Sequence, residues 1–226
     1  LLFAIARPII GRVVWESSGK RNDVMGVRLI VLGGGGHAKV VISTARAAGH
    51  AVVGVYDDNP KAWGQSLFGV PVVGGVDKLA DHAPAQAIIA IGNAKLRREL
   101  AERLKLDWFT LVHPRALVDA SVKLGPGTVV FAGAIVQPDV TIGAHVILNT
   151  GSSVDHDCRI GDYVHISPGA HLAGGITIGD GTFIGPSCGI TSGVKIGAGV
   201  TLRAGSGVWS DLPDNVTAAG SPARVE

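Results

Sequence analysis

Between Val112 and Val208 an aliphatic residue returns at every sixth position, from Val112, Val118, Leu124 and Val130 through to Ile196, Leu202 and Val208. Four places after each stands a second, mostly small residue, as in Ala116, Val122, Thr128, Ala134, Cys158, Thr182, Cys188 and Ser206. The positions between are rich in Gly, Pro, Asp, Asn and Ser, the residues that turn a chain. A helix repeats its apolar face about every 3.6 residues and a half-buried strand every 2, so a period of six fits neither alone. It predicts very short strands joined by corners and stacked as a solenoid whose coils bury a shared interior.

The chain before residue 110 has a different rhythm. Val27–Leu32 is a short apolar run suited to a fully buried strand. A turn, Gly33-Gly34-Gly35-Gly36-His37-Ala38, follows it, then a helix-like Val40–Ala48 closed by Gly49, then a second strand over Ala51–Tyr56. Strand, glycine turn, helix and strand make a βαβ unit and hence a parallel sheet. Val70–Val73 reads as a small strand, Asp77–Leu79 as a helix start capped by Asp77, Ala87–Ile91 as a buried strand and Ala94–Leu104 as a helix. Trp108–Val112 leads straight into the repeats, which sets the domain boundary near 110: an α/β domain over 25–110 and the solenoid over 111–226. Residues 1–24 read as an extension of uncertain role. Their apolar run, Leu1 to Val14, is broken by Arg7, Pro8, Gly11 and Arg12 and is too short to span a bilayer, so stable membrane insertion is not expected.

The sixfold column resembles the hexapeptide repeat of left-handed parallel β-helix acyltransferases. In that family three six-residue strands make one triangular coil of 18 residues. The left hand is what the resemblance implies; periodicity alone gives coils without a hand. Cys158 and Cys188 are 30 residues apart, not a multiple of 18, so they fall on different faces and no disulfide is expected. Unpaired thiols fit a reducing, cytoplasmic setting. Composition adds little: of 226 residues 46% are hydrophobic, only 5% aromatic, and 33 are Gly, which suits thin coils with tight corners. A net charge of +2 without a dense Lys/Arg run argues against a nucleic-acid partner. No Cys/His set has zinc-like spacing, so no metal is expected.

Residues 33–38 satisfy G-x-G-x-x-A, with Asp57 roughly 20 residues on, as a dinucleotide-binding turn has it. Such glycines let backbone N–H groups approach a phosphate at a helix N-terminus. One half of a full Rossmann fold suits a mononucleotide or nucleotide sugar better than a dinucleotide, although the turn alone leaves a nicotinamide-dependent oxidoreductase open. A short α/β domain followed by a hexapeptide helix resembles bacterial nucleotide-sugar N-acetyltransferases of the PglD and perosamine N-acetyltransferase type, and their sialic acid O-acetyltransferase relatives. The motifs are Gly33–Lys39, Asp57-Asp58, Ile91-Gly92-Asn93, Val112-His113-Pro114, Leu148-Asn149-Thr150, Val154–Cys158 and Gly220–Arg224. They cover nearly all of 26–226.

The resemblance implies acetyl-CoA as co-substrate, a nucleotide-linked amino sugar as acceptor, and a homotrimer with active sites between subunits. It makes His156 the catalytic base and Asp157 its supporting carboxylate, an Asp where some members have Glu. It places His165, Gly174, Gly175, Ala204, Pro222 and Arg224 along acetyl-CoA. The nucleotide sugar then meets Gly34, Gly35, Gly36, His37, Asp57, Asp58 and Asn93, with Asn149 and Thr150 on the sugar. The usual acceptor is the amine of a 4-amino-4,6-dideoxyhexose on UDP or GDP; a sugar hydroxyl and a non-catalytic nucleotide-sugar sensor are the other readings.

The residues carry the same chemistry without the name. His156 is third in its repeat, at a corner, and with an 18-residue coil it stacks between Pro138 and Gly174. Gly174 has no side chain, so a recess and an accessible N–H lie beside the imidazole, where a developing oxyanion could be held. Asp157 stacks between Asp139 and Gly175. Histidine suits proton acceptance near neutral pH. His145 and His171 are expected to be solvated histidines without a role.

Overall fold

The computed structural model describes residues 26–82 and 85–226; the extension over 1–24 and Met25 lie outside the described residues. β1 (Arg28–Leu32) buries its last four residues completely, as a central parallel strand covered on both faces does. α1 (Gly36–Ala47) follows the glycine turn, and β2 (Ala51–Tyr56) pairs parallel with β1. A two-residue β3 (Ser66–Leu67) pairs antiparallel with β4 (Val70–Gly74), and β5 (Gln86–Ile89) lies on the other side of β1. The sheet order β3-β4-β2-β1-β5 is parallel except at β3. α2 (Ala94–Arg103) is capped by the Asn93 side chain, which accepts from the Leu96 N–H at 3.0 Å.

Two expected helices differ, and one strand was not expected. α1 begins at Gly36 and not at Val40, because the poor helix propensity of glycine hides a first turn that burial of Ala38, Val41 and Ile42 supports. Val76–His82 is a 3₁₀ segment instead of an α-helix starting at Asp77. The short β3 carries no period long enough to see.

From Leu111 onward the chain makes two-residue strands in three sheets. The first face stacks Leu111–Val112, Val129–Val130, Ile147–Leu148, His165–Ile166, Phe183–Ile184 and Thr201–Leu202. The second runs from Leu117–Val118 through Ser153–Val154 and His171–Leu172 to Gly207–Val208, and the third from Lys123–Leu124 to Lys195–Ile196. Each strand pairs in parallel with the one 18 residues on, so the aliphatic column stacks on itself, as in Val136, Val154, Leu172, Ile190 and Val208. Both columns form one core over most of their length. The polar members of the small column are satisfied within it: Thr128 Oγ1 donates to the Gly143 carbonyl at 2.8 Å and accepts from the Val146 N–H at 3.0 Å. Cys158 and Cys188 are free, buried, and donate to the carbonyls of Ala173 and Arg203 in the same way. The corners after the second face take the left-handed conformation at Asp139, Asp157 and Gly175 (φ +60°, +60° and +72°), which explains why Asp or Gly stands there.

The α/β domain sits on the first face. Leu111, Val129, Phe131 and Ile147 of the coils share one core with Val31, Val41 and Val72. The junction is fastened by Arg97, which is 1% exposed although it is an arginine. Its guanidinium donates to four carbonyls: His145 (2.8 Å) and Tyr163 (2.6 Å) of the coils, and Ile91 (2.8 Å) and Gly92 (3.0 Å) of its own domain. His145, expected to be solvated, is instead only 3% exposed, stacked on Tyr163 with centroids 5.4 Å apart and edge-on to Trp108. Burial and the nearby Arg97 cation lower its pKa to about 4, so it is neutral. His171 is exposed as expected, but on a strand, within 2.8 Å of Ser153 Oγ. Among the described residues no helix is long and apolar enough to cross a membrane.

Candidate active site

His156 stands at the corner between the second and third faces, with its side chain 61% exposed. Its Nδ1 lies 2.8 Å from Asp157 Oδ2, and its backbone carbonyl accepts from Gly175 N–H one rung on. A carboxylate at Nδ1 fixes the tautomer: Nδ1 carries the proton and the Nε2 lone pair is free. Nε2 faces the rung of Gly174, where an added Cβ would stand 2.7 Å from Nε2 and 2.6 Å from Cε1. Among the described residues the Gly174 N–H donates to no protein acceptor. The short Asp157 arm therefore does reach the imidazole, because the left-handed corner turns the carboxylate back along the chain.

The hydrogen bond that His156 donates to Asp157, with Asp155 adding its charge, raises the His156 pKa above the usual histidine value. Asp157→Asn removes the first of these causes, so the imidazole should lose its proton at lower pH. NMR titration of His156 in both proteins checks this, and an unchanged midpoint would take Asp157 out of the reading.

A second group gathers where the α/β domain meets the first face. Gly34 N–H donates to Asp57 Oδ2 at 2.6 Å and Asn59 N–H to Asp57 Oδ1 at 2.8 Å. Asp57 thus braces the glycine turn with one oxygen and the chain after β2 with the other, and each oxygen keeps a further acceptor site. Asp58 Oδ1 accepts from Val76 N–H at 3.0 Å, leaving its other oxygen open. The N–H groups of Gly35, Gly36 and His37 head α1, and a Cβ built on Gly35 or Gly36 meets nothing within 4 Å. That open, donor-lined helix start is where an anionic phosphate is favoured.

His37 packs edge-on against Phe131 at 5.3 Å and lies 6.3 Å from His165. His165 Nδ1 is 3.4 Å from the Gly92 carbonyl and its Nε2 3.2 Å from Asn149 Nδ2. Nδ1 therefore carries the proton and Nε2 accepts from the amide. Burial first, then the Arg97 charge, lowers both histidines to about 4, so neither is protonated at neutral pH. Within one protomer His165 lies beside His37 and Asn149, on a different part of the coil from Gly174 and Gly175. The side-chain oxygen of Asn93 is committed to capping α2.

Asn149 and Thr150 occupy the corner between the first and second faces, one side of the triangle away from His156. Six residues of near-extended chain put adjacent corners roughly 15–20 Å apart. Ala204 follows the strand Thr201–Leu202 on the first face, while Pro222 and the exposed Arg224 belong to the closing antiparallel pair, Thr217–Gly220 with Ala223–Val225. One protomer therefore holds its proposed site residues in separate groups.

Sequence reading missed the buried Arg97 and His145 and the half-buried Trp108 and Tyr163 that pack on them. One sign was present: Arg97 falls on the same α2 stripe as Leu100, Ala101 and Leu104, at spacings of three, four and seven. It also missed a cavity of about 340 Å³ at the C-terminal ends of β1 and β2, bounded by α2.

Comparison with known proteins agrees with this architecture. Residues 28–104 match the PglD N-terminal domain, and 139–174, 157–192 and 175–208 match the bacterial transferase hexapeptide (six repeats). The UDP-N-acetylbacillosamine N-acetyltransferase of Bacillus subtilis (strain 168) is 40% identical over 105 residues, 43% of this chain and 48% of that protein, so the match spans about half the length of this relative. Among solved structures, a perosamine N-acetyltransferase from Caulobacter crescentus, with one histidine replaced by asparagine and in complex with CoA and GDP-perosamine, superposes with a TM-score of 0.85. It is 39% identical, over 89% of this chain and 97% of that one. The acetyltransferase domain of PglB from Neisseria gonorrhoeae, in complex with acetyl coenzyme A, gives a TM-score of 0.84 at 38% identity, over 89% of this chain and all of that one.

Proposed function

We propose, for a chain that belongs to the PglD-type hexapeptide acetyltransferases, that it moves the acetyl group of acetyl-CoA to the amine of a nucleotide-linked 4-amino-4,6-dideoxy sugar. The observation that carries this reading is the His156 imidazole, pinned to Asp157 at 2.8 Å through Nδ1 while Nε2 faces the bare rung of Gly174. In this reading the sugar nitrogen attacks the thioester carbonyl carbon, and Nε2 takes the proton that the nitrogen loses. The Gly174 N–H stabilises the oxyanion of the tetrahedral intermediate. The C–S bond then breaks, and the departing sulfur takes the proton back from the imidazolium. Transfer is direct: both cysteines are buried in the coil interior, and burial raises their thiol pKa values, which keeps them from acting as nucleophiles.

Residues 25–110 are assigned to holding the nucleotide and 111–226 to transfer. Binding the nucleotide to a preformed site lowers the entropic cost of bringing amine and thioester together. Gly174, Gly175, Ala204, Pro222 and Arg224 are assigned to acetyl-CoA, and Gly34–His37, Asp57, Asp58, Asn93, Asn149 and Thr150 to the nucleotide sugar. His165 is reassigned from CoA to orienting Asn149, on the strength of their 3.2 Å contact. Because Asn149 and His156 occupy different corners, the sugar bound by one protomer is brought to the histidine of a neighbour, as a homotrimer would allow.

The test is release of free CoA thiol when the protein meets acetyl-CoA and a GDP- or UDP-linked 4-amino-4,6-dideoxyhexose. Turnover with either sugar and retention of turnover in Cys158→Ser are expected; no thiol release with any such sugar would end the reading. Gly174→Ala gives a second check. Its Cβ would occupy the recess 2.6–2.7 Å from the imidazole, which must swing away. An exposed side chain can do so without unfolding the coil, so kcat should fall by roughly tenfold or more, within the range of a displaced general base, at an unchanged melting temperature.

A further inference from the structure

The cavity between α2 and the strand ends opens on the same sheet edge as the glycine turn, so a nucleotide whose diphosphate lies on Gly35–His37 has its base there. Its walls are apolar: Val76, Ile91, Leu96 and Leu100. Its ionisable lining is Asp57, Asp58, Glu99 and Arg103. Asp57 has both oxygens on backbone N–H groups, and Asp58 has one on Val76. Glu99 and Arg103 are different. They stand one helical turn apart on the same face of α2, in the order that favours an ion pair, yet neither bonds to the other or to any described residue. Both are exposed, and side by side at one cavity they offer an acceptor and a donor to the same ligand edge.

We propose that Glu99 and Arg103 read the nucleobase and select guanine over uracil, an inference that rests on the nucleotide-sugar reading above. Guanine presents N1–H and N2–H side by side with O6 next to them. A carboxylate accepts both N–H groups, and a guanidinium donates to O6. Uracil has a single N3–H flanked by two carbonyls, so one of its oxygens faces the second carboxylate oxygen of Glu99, and acceptor meets acceptor. A base that lacks the second donor forfeits one of the two bonds and sets a carbonyl oxygen against the carboxylate. The free oxygen of Asp58, between turn and cavity, is placed to take a ribose hydroxyl.

Calorimetric titration of the full chain with GDP, IDP and UDP tests this; IDP lacks only the 2-amino group. GDP should bind at least tenfold more tightly than UDP, the scale of one good bidentate contact, with IDP between them. Glu99→Gln should bring GDP and UDP to within about threefold of each other, without a change in melting temperature, because Glu99 is exposed. UDP binding as tightly as GDP, or an undiminished preference in Glu99→Gln, overturns the base assignment and leaves the transferase reading standing. Failure of all three nucleotides to bind overturns both.

Discussion

Replacing His156 with alanine should lower kcat by about 10²–10⁴-fold, the range for loss of a positioned general base, and leave nucleotide binding and the melting temperature unchanged. The reasons lie at one corner. The imidazole is 61% exposed, so its removal opens no cavity in the coil. Its Nε2 is the basic atom, because Nδ1 is committed to Asp157, and none of the other histidines near the junction can replace it. His37, His145 and His165 are all held near pKa 4 by burial and the Arg97 charge, which makes them weak bases. The acid limb of the wild-type profile should fall above the ordinary histidine value, since the partners of His156 raise its pKa and the base is lost as pH drops through it. In Asp157→Asn that limb should move to lower pH, with a lower plateau. Steady-state rates across pH, with a melting curve for each variant, measure all of this. A His156→Ala enzyme within fivefold of wild type would remove the imidazole from the chemistry.

The second large effect concerns Arg97. Arg97→Met should destabilise docking of the α/β domain by about 4 kcal/mol, because four carbonyls lose their donor and a buried unsatisfied group costs about 1–3 kcal/mol. Some of those carbonyls will find water, which is why the full sum is not expected. Desolvation lowers the guanidinium pKa to about 10, so at neutral pH the site still holds a cation, stabilised among the described residues by backbone dipoles without a carboxylate. At roughly 2–4 °C per kcal/mol for a chain of this size, the affected transition should drop by about 8–16 °C. The coils bury their own columns and depend less on the junction, so calorimetry should show the loss in one transition while a second, from the coils, stays in place. Arg97→Lys should restore little, as one ammonium lacks the planar fork that reaches carbonyls on both sides. A single unshifted transition in Arg97→Met would show that the clamp contributes nothing. Activity provides a separate readout: the junction holds His165, and through it Asn149, against the Gly92 carbonyl of the α/β domain, so sugar KM should rise before kcat falls.

Much of the architecture was legible because it is written in short periods. A two-residue strand every six residues needs only its own apolar residue and its own corner, so Val112 to Val208 reads directly, and the vertical neighbours of His156 follow from counting. The pairing of His156 with Gly174 is of this kind. Less legible was whatever depends on a neighbour far along the chain. His145 reads as a corner histidine, yet Trp108 and Tyr163 bury it, and the bond by which Asp57 braces Gly34 leaves no mark in the spacing. Glu99 and Arg103 carry no signal in the sequence; only the cavity they share marks them out.

The chain by itself determined the repeat, the corners, the βαβ turn and the place of one imidazole beside one bare glycine, because each is set within one period of local sequence. The tertiary structure decided which face of the triangle carries the α/β domain, that a buried arginine fastens it there, and that His165 packs beside His37 and Asn149. Those outcomes arise from burial and long-range hydrogen bonding between segments that no spacing links. A cation 48 and 66 residues from its carbonyl partners leaves no periodic trace, only an arginine where the stripe on α2 wants an aliphatic residue.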